Sequence, residues 1–217
     1  ASQRSPSLKS RLGANALTWG AGTVLSRVLA LARDLGIAAL LGAGPVADAF
    51  FVAFRLPDFM RRMFGEGVWS MVFVPAFLAL NKADNGHRQR GFALARAVFV
   101  WLLLLVGGAC LPAMALAPWL LGMLAPGLGD NPELLARTVT LFRICAPYAL
   151  FVMCTALSVA LLNSLGRFLL PSLAPVLLNA VMLLGLLAVM LLDTSGYASA
   201  RVLAWSVLAG GLVQWLA

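Results

Sequence analysis

Ser26-Arg27-Val28-Leu29-Ala30-Leu31-Ala32-Arg33-Asp34 sits in the middle of an apolar segment covering residues 13–41. That segment is long enough to cross a bilayer, which takes roughly 20 apolar residues in a helix. An arginine at the centre of such a helix costs roughly 2.5–3.5 kcal/mol on insertion scales. The next segment repeats the pattern, as Asp48-Ala49-Phe50-Phe51-Val52-Ala53-Phe54-Arg55-Leu56-Pro57-Asp58-Phe59-Met60-Arg61-Arg62. Charge at that depth is tolerated where it lines a water-filled cavity, and a cavity rich in arginine suits an anion. The two stretches together imply an all-α integral membrane protein that handles anionic cargo.

Composition agrees with a membrane protein. Of 217 residues, 62% are hydrophobic and 11% charged, and the mean hydropathy is +0.94. Soluble domains hold about 45–50% apolar and about 25% charged residues. The net charge of +8, from 16 Lys+Arg against 8 Asp+Glu, would suggest nucleic acid in a soluble chain. Here the basic residues fall in short loops and inside spans, so topology and cargo explain them and nucleic acid is not an expected partner. Cys110, Cys145 and Cys154 lie in apolar segments with no metal or disulfide spacing, and His87 is the single histidine. No metal, cofactor, catalytic triad or phosphate-binding glycine loop is expected.

Residues 1–12 form a polar N-terminal segment, and residues 13–217 read as one transmembrane lobe. Its expected spans are 13–41, 46–81, 97–122, 138–162, 169–192 and 198–217. Residues 46–81 are read as one long span bent at Pro57 and loosened at Gly65 and Gly67. With one span there, Arg4, Lys9 and Arg11, then Lys82, Arg88, Arg90 and Arg96, then Arg167, all share one side. The opposite side holds Arg137 and Arg201 with Asp130, Glu133 and Asp193. The positive-inside rule makes the first side, with the N-terminus, cytoplasmic. The chain stops in the apolar stretch ending Gln214-Trp215-Leu216-Ala217; it is expected to be truncated, part of a larger protein.

Helical spacing groups the charges. Residues seven apart share a face. Ser26 with Arg33, Arg27 with Asp34, and Asp48 with Arg55 and Arg62 are so spaced, and Glu66 lies four beyond Arg62. Arg61 sits about 100° to the side of that stripe. Arginine offers a planar, permanently charged fork for phosphate oxygens. Asp34, Asp48 and Glu66 are expected to pair with the arginines when no cargo is bound. Asn163 and Asn179 read as interhelical hydrogen-bonding residues, Arg143 as a snorkelling one.

Ser26-Arg27-Val28-Leu29 with Arg33-Asp34, Gly42-Ala43-Gly44 and residues 47–57 resemble the lipid II flippases of the MurJ/MviN family. Arg61-Arg62 with Phe64, Glu66-Gly67, Phe73-Val74-Pro75, Pro147-Tyr148, Leu162-Asn163, Arg167-Phe168, Pro171, Ala174-Pro175 and Leu178-Asn179 extend the likeness over nearly the whole chain from about residue 14. Ala30-Leu31, Asp58 and Met71 depart from the family's usual Gly-Phe, Asn and Gln.

The resemblance implies a fold of the multidrug/oligosaccharidyl-lipid/polysaccharide exporter type, in which two helical lobes enclose a cavity that opens alternately to each side. This chain would supply the six-helix N-terminal lobe. Family cavity arginines map onto Arg27, Arg33 and Arg61, with Ser26 beside them, and an acidic cavity position maps onto Asp48. The implied activity is flipping of lipid II, the undecaprenyl-pyrophosphate-linked peptidoglycan precursor, across the bacterial cytoplasmic membrane, without covalent chemistry. Implied partners are lipid II, membrane lipids, the absent C-terminal lobe and peptidoglycan-synthesis proteins. Rival readings are another lipid-linked oligosaccharide as cargo, a non-transporting cell-wall scaffold and, weakest, an intramembrane enzyme.

Overall fold

A computed structural model describes residues 8–65, 68–83, 89–128 and 130–217. Among them the regular elements are helical: α1 (Leu8–Leu41), α2 (Pro45–Gly65), α3 (Val68–Ala83), α4 (Gln89–Ala115), α5 (Ala117–Leu124), a 3₁₀ turn (Pro126–Leu128), α6 (Pro132–Cys145), α7 (Tyr148–Ser164), α8 (Leu169–Leu191) and α9 (Tyr197–Leu216). Glu66 lies outside the described residues.

Local chemistry sets the boundaries. α1 stops where Gly42 takes φ 64° and donates its N–H to the Ala38 carbonyl at 3.0 Å, a left-handed cap that glycine adopts without strain. Pro45 then opens α2, where a missing N–H costs nothing. Gly166 (φ 75°) ends α7 in the same way, with Arg167 N–H reaching back to the Leu162 carbonyl at 2.9 Å. Asn131 caps α6 by accepting from Leu134 N–H at 3.0 Å.

Among the described residues, three segments are long and apolar enough to cross a membrane: Gln89–Ala115, Pro132–Ser164 and Leu169–Leu191, with mean hydropathies of 2.3, 2.0 and 2.4. The second covers α6 and α7 together. On α4, Trp101, Leu104 and Leu105 point outward, 59–65% exposed, as side chains facing lipid tails do. Inside, Phe50, Phe77, Leu121, Phe142, Tyr148, Leu203 and Val207 form a continuous core. Polar side chains there return their hydroxyls to their own helices: Thr138 to Leu134 O, Thr155 to Phe151 O and Ser206 to Val202 O, at 2.7–2.9 Å.

Expected spans and observed helices differ in continuity. Residues 46–81 contain two helices, α2 and α3, and α2 continues through the buried Pro57. α2 lies along α6 and α7, α3 along α4 and α7, and the two touch each other little. Residues 138–162 correspond to α6 and α7, separated at Ala146-Pro147, where proline has no N–H for the helical ladder. Residues 97–122 become α4 and α5, and α4 starts eight residues early because helix can extend past the apolar region.

Close contacts give the helix directions. A Cβ on Gly22 would meet Ser172 Cβ at 2.8 Å, and one on Gly36 would meet Leu186 at 2.8 Å. Each partner lies 150 positions further on, so α1 and α8 run parallel in constant register. Gly185 opposes Ser206 while Gly210 opposes Leu178, so α8 and α9 run antiparallel. Tyr148 meets Gly211 and Phe151 stacks on Trp215, so α7 and α9 are parallel. Gly22→Ala is expected to lower the thermal stability of the full-length protein by about 1–3 kcal/mol, whereas Gly20→Ala, with nothing within 4 Å of the new carbon, should leave the melting midpoint unchanged.

Candidate functional site

Arg33 is held by two residues, Asp34 and Asn179. Its Nε and Nη2 donate to Asp34 Oδ1 at 2.9 and 2.8 Å, and its Nη1 donates to Asn179 Oδ1 at 2.7 Å. Asn179 in turn donates from Nδ2 to the Ser26 carbonyl at 3.0 Å. A guanidinium has five N–H groups; three are used, leaving one donor on each terminal nitrogen. Ser26 joins this knot through its backbone, because its hydroxyl donates to Thr23 O at 3.0 Å. Arg27, about 100° round α1, is exposed and has no hydrogen bond or ion pair among the described residues.

On α2 the expected stripe of Asp48, Arg55 and Arg62 is exposed along its length. The expected pairing of Asp48 is not what the structure contains: Asp48 has no ionic partner among the described residues. Arg61 and Arg62 of this helix use Asp58 instead. Its Oδ1 accepts from Arg61 Nε at 2.9 Å and its Oδ2 from Arg62 Nε at 2.8 Å. Sequence reasoning missed Asp58, although spacings of three and four are the ones that bring helical neighbours into contact. The Asp58 side chain is 17% exposed, against 37% for Arg61 and 67% for Arg62. Arg55 and Asp58 also border a recess with Phe51 and Phe54.

Arg61 faces a cavity of about 250 Å³ walled by α7, α8 and α9, whose lining includes Val152, Thr155, Pro175, Leu178 and Gln214. Gln214 Oε1 is buried there without a partner. The Tyr148 hydroxyl is likewise buried and unpaired, its ring 5.9 Å from that of Phe54. Residues 26–62 hold five arginines (27, 33, 55, 61 and 62) against three carboxylates (34, 48 and 58), so this stretch is net basic.

The remaining polar residues serve packing. Arg143 Nε donates to Met114 O at 2.9 Å. Arg137 pairs with Glu133 and lies 5.5 Å over the Tyr197 ring. Cys145 and Cys154 are buried and Cys110 half-buried, all as free thiols. Among the described residues, no three His, Cys, Asp or Glu side chains gather as a metal site.

Asp58 gives a first test. Asp58→Asn keeps an acceptor and removes the negative charge. It is expected to tighten binding of inorganic pyrophosphate to the full-length protein about two- to fivefold, the value of a partly exposed ion pair. A titration in lipid nanodiscs reads this directly.

A family model for the lipid II flippase MurJ matches residues 37–217. Probable lipid II flippase MurJ of Rhizobium meliloti (strain 1021) is 39% identical over 201 residues, covering 91% of this chain and 37% of the relative. Lipid II flippase MurJ of Burkholderia cenocepacia is 38% identical over 201 residues, covering 92% and 38%. Probable lipid II flippase MurJ of Vibrio cholerae is 36% identical over 220 residues, covering 95% and 40%. A solved structure, lipid II flippase MurJ in an inward closed conformation, superposes with a TM-score of 0.73 at 22% identity over 92% of this chain and 40% of that one, which establishes the shared fold. The chain thus spans about two-fifths of the length of these relatives. With a family match over residues 37–217 and these relatives over more than nine-tenths of its length, the chain belongs to the lipid II flippase MurJ family.

Proposed function

We propose that this chain is the N-terminal lobe of a flippase that carries lipid II from the cytoplasmic to the periplasmic leaflet, with the α1 and α2 arginines receiving the pyrophosphate. The observation that carries this reading is the basic region itself, where Arg33 keeps two donors unused and Arg27 and Arg55 are exposed. The carboxylate partners are of the kind a phosphate replaces. An exposed ion pair contributes about 0.2–1 kcal/mol, whereas a charge-assisted hydrogen bond in a desolvated site contributes about 1.5–3 kcal/mol. Asp34, with a side chain 63% exposed, is therefore the partner that yields. The isoprenoid tail stays in the bilayer, and two lobes rocking about the cavity alternate its access. Transport of this kind needs no bond-making group.

The placement has the N-terminus in the cytoplasm of a bacterium and six crossings: α1, α2–α3, α4–α5, α6–α7, α8 and α9. Helix directions support it. One crossing for α2–α3 makes α1 and α8 parallel, as their register is; two crossings there would make them antiparallel. Lipid II, the surrounding lipids, the second lobe and peptidoglycan-synthesis proteins are the partners of this reading.

The test is growth of cells depleted of their own lipid II flippase, complemented by the full-length parent. Rescue by the wild type is expected, with loss of rescue when Arg27, Arg33 and Arg61 are all alanine in an equally abundant protein. A well-expressed wild type that fails to rescue would point to another lipid-linked oligosaccharide or to a scaffold.

A further inference from the structure

We infer that Asn179 is a positioning residue for the cargo-binding arginine Arg33, an inference that rests on the functional reading above. Ser172, Asn179 and Leu186 recur every seven residues on α8, so they share one face. Ser172 and Leu186 meet Gly22 and Gly36 so closely that a Cβ on either glycine would come within 2.8 Å of them. Asn179 falls midway, opposite the turns that carry Ser26 and Arg33. The two glycine contacts let the backbones approach and fix the helices in height, and Asn179 is the polar residue held between them, 5% exposed.

Its two amide atoms do different work. Nδ2 donates to the Ser26 carbonyl at 3.0 Å, tying the side chain to α1. Oδ1 is thereby aimed along α1 and accepts from Arg33 Nη1 at 2.7 Å. Arg33 is thus held by two partners of opposite character. Asp34 is charged, exposed and adjacent in sequence; an incoming oxyanion competes with it. Asn179 is neutral, buried and anchored to another helix; an oxyanion has no charge there to displace. When a phosphate takes the place of Asp34, Asn179 keeps the guanidinium where it was. Arginine otherwise loses considerable rotamer freedom on binding, and a group held in place beforehand spares that loss. Pro175 and Leu178, within a turn of Asn179 on α8, belong to the wall of the Arg61 cavity, so the same helix positions Arg33 and shapes the neighbouring chamber.

The experiment is a double-mutant cycle in the full-length protein, titrated with undecaprenyl pyrophosphate in lipid nanodiscs, with thermal midpoints recorded beside each affinity. Asn179→Leu, close to asparagine in size, is expected to weaken binding about tenfold in the Arg33 background and less than about twofold with Arg33→Ala. Should Asn179→Leu fail to accumulate, Asn179→Ala is read in the same cycle. Equal weakening in both backgrounds would mean that Asn179 acts only on the fold, and no weakening in either would mean that it does not position Arg33; both overturn the inference. Binding unaffected by Arg33→Ala alone would instead overturn the arginine-pyrophosphate reading on which the inference stands.

Discussion

Arg33→Ala in the full-length protein is expected to abolish complementation of a flippase-depleted strain while leaving the protein at normal abundance in the membrane. The side chain brings two unused donors and a permanent charge to the proposed pyrophosphate site. Losing charge-assisted bonds worth about 1.5–3 kcal/mol each corresponds to a fall in pyrophosphate affinity of about 10- to 100-fold or more. The fold should tolerate the change, because α1 is held on α8 by the Gly22 and Gly36 contacts as well as by the Arg33–Asn179 bond. Arg33→Lys should restore little: an ammonium keeps the charge but lacks the fork that serves Asp34, Asn179 and an oxyanion together. Immunoblotting of membranes alongside growth curves separates lost function from lost protein.

Gly185→Leu is expected to give the opposite result, a protein that does not accumulate. A Cβ added at Gly185 would meet Ser206 Cβ at 2.6 Å and Ser206 Oγ closer still. Both residues are buried between α8 and α9, and Ser206 is held by its bond to Val202 O at 2.8 Å. Overpacking of this kind costs about 1–3 kcal/mol for modest insertions and more where backbones must separate. Gly185→Ala should be milder, and Ser206→Gly should restore much of its lost stability because it removes the colliding atoms. The measurement is membrane abundance and thermal midpoint for the single and double variants; additivity without rescue would rule out this contact as the cause.

Much of the architecture was legible because membrane insertion imposes long apolar runs. The boundaries within those runs were not. Pro147 breaks α6 from α7, yet a hydropathy window passes over it because its neighbours stay apolar. α4 begins with Gln89 and Arg90 because helix formation needs no apolar side chain where the chain leaves the bilayer. The arginines of α1 and α2 were visible as costly residues, but their partners were less so. The seven-residue stripe points to Asp48, whereas Asp58 stands at the local spacings of three and four from Arg61 and Arg62. Asn179 lies 146 positions from Arg33; no local pattern joins them, and only the packing of α8 on α1 does. Ser26 was placed beside the arginines by its motif, and it takes part through its backbone carbonyl.

The central claim is that this lobe belongs to a working lipid II flippase whose α1 and α2 arginines hold the cargo. The most direct measurement is the fraction of lipid II exposed on the outer face of the cytoplasmic membrane in cells whose sole flippase is the full-length parent. The account predicts wild-type exposure with the native chain, and lipid II retained on the inner leaflet when Arg27, Arg33 and Arg61 are replaced by alanine at equal protein abundance. Undiminished exposure with the triple variant would contradict it.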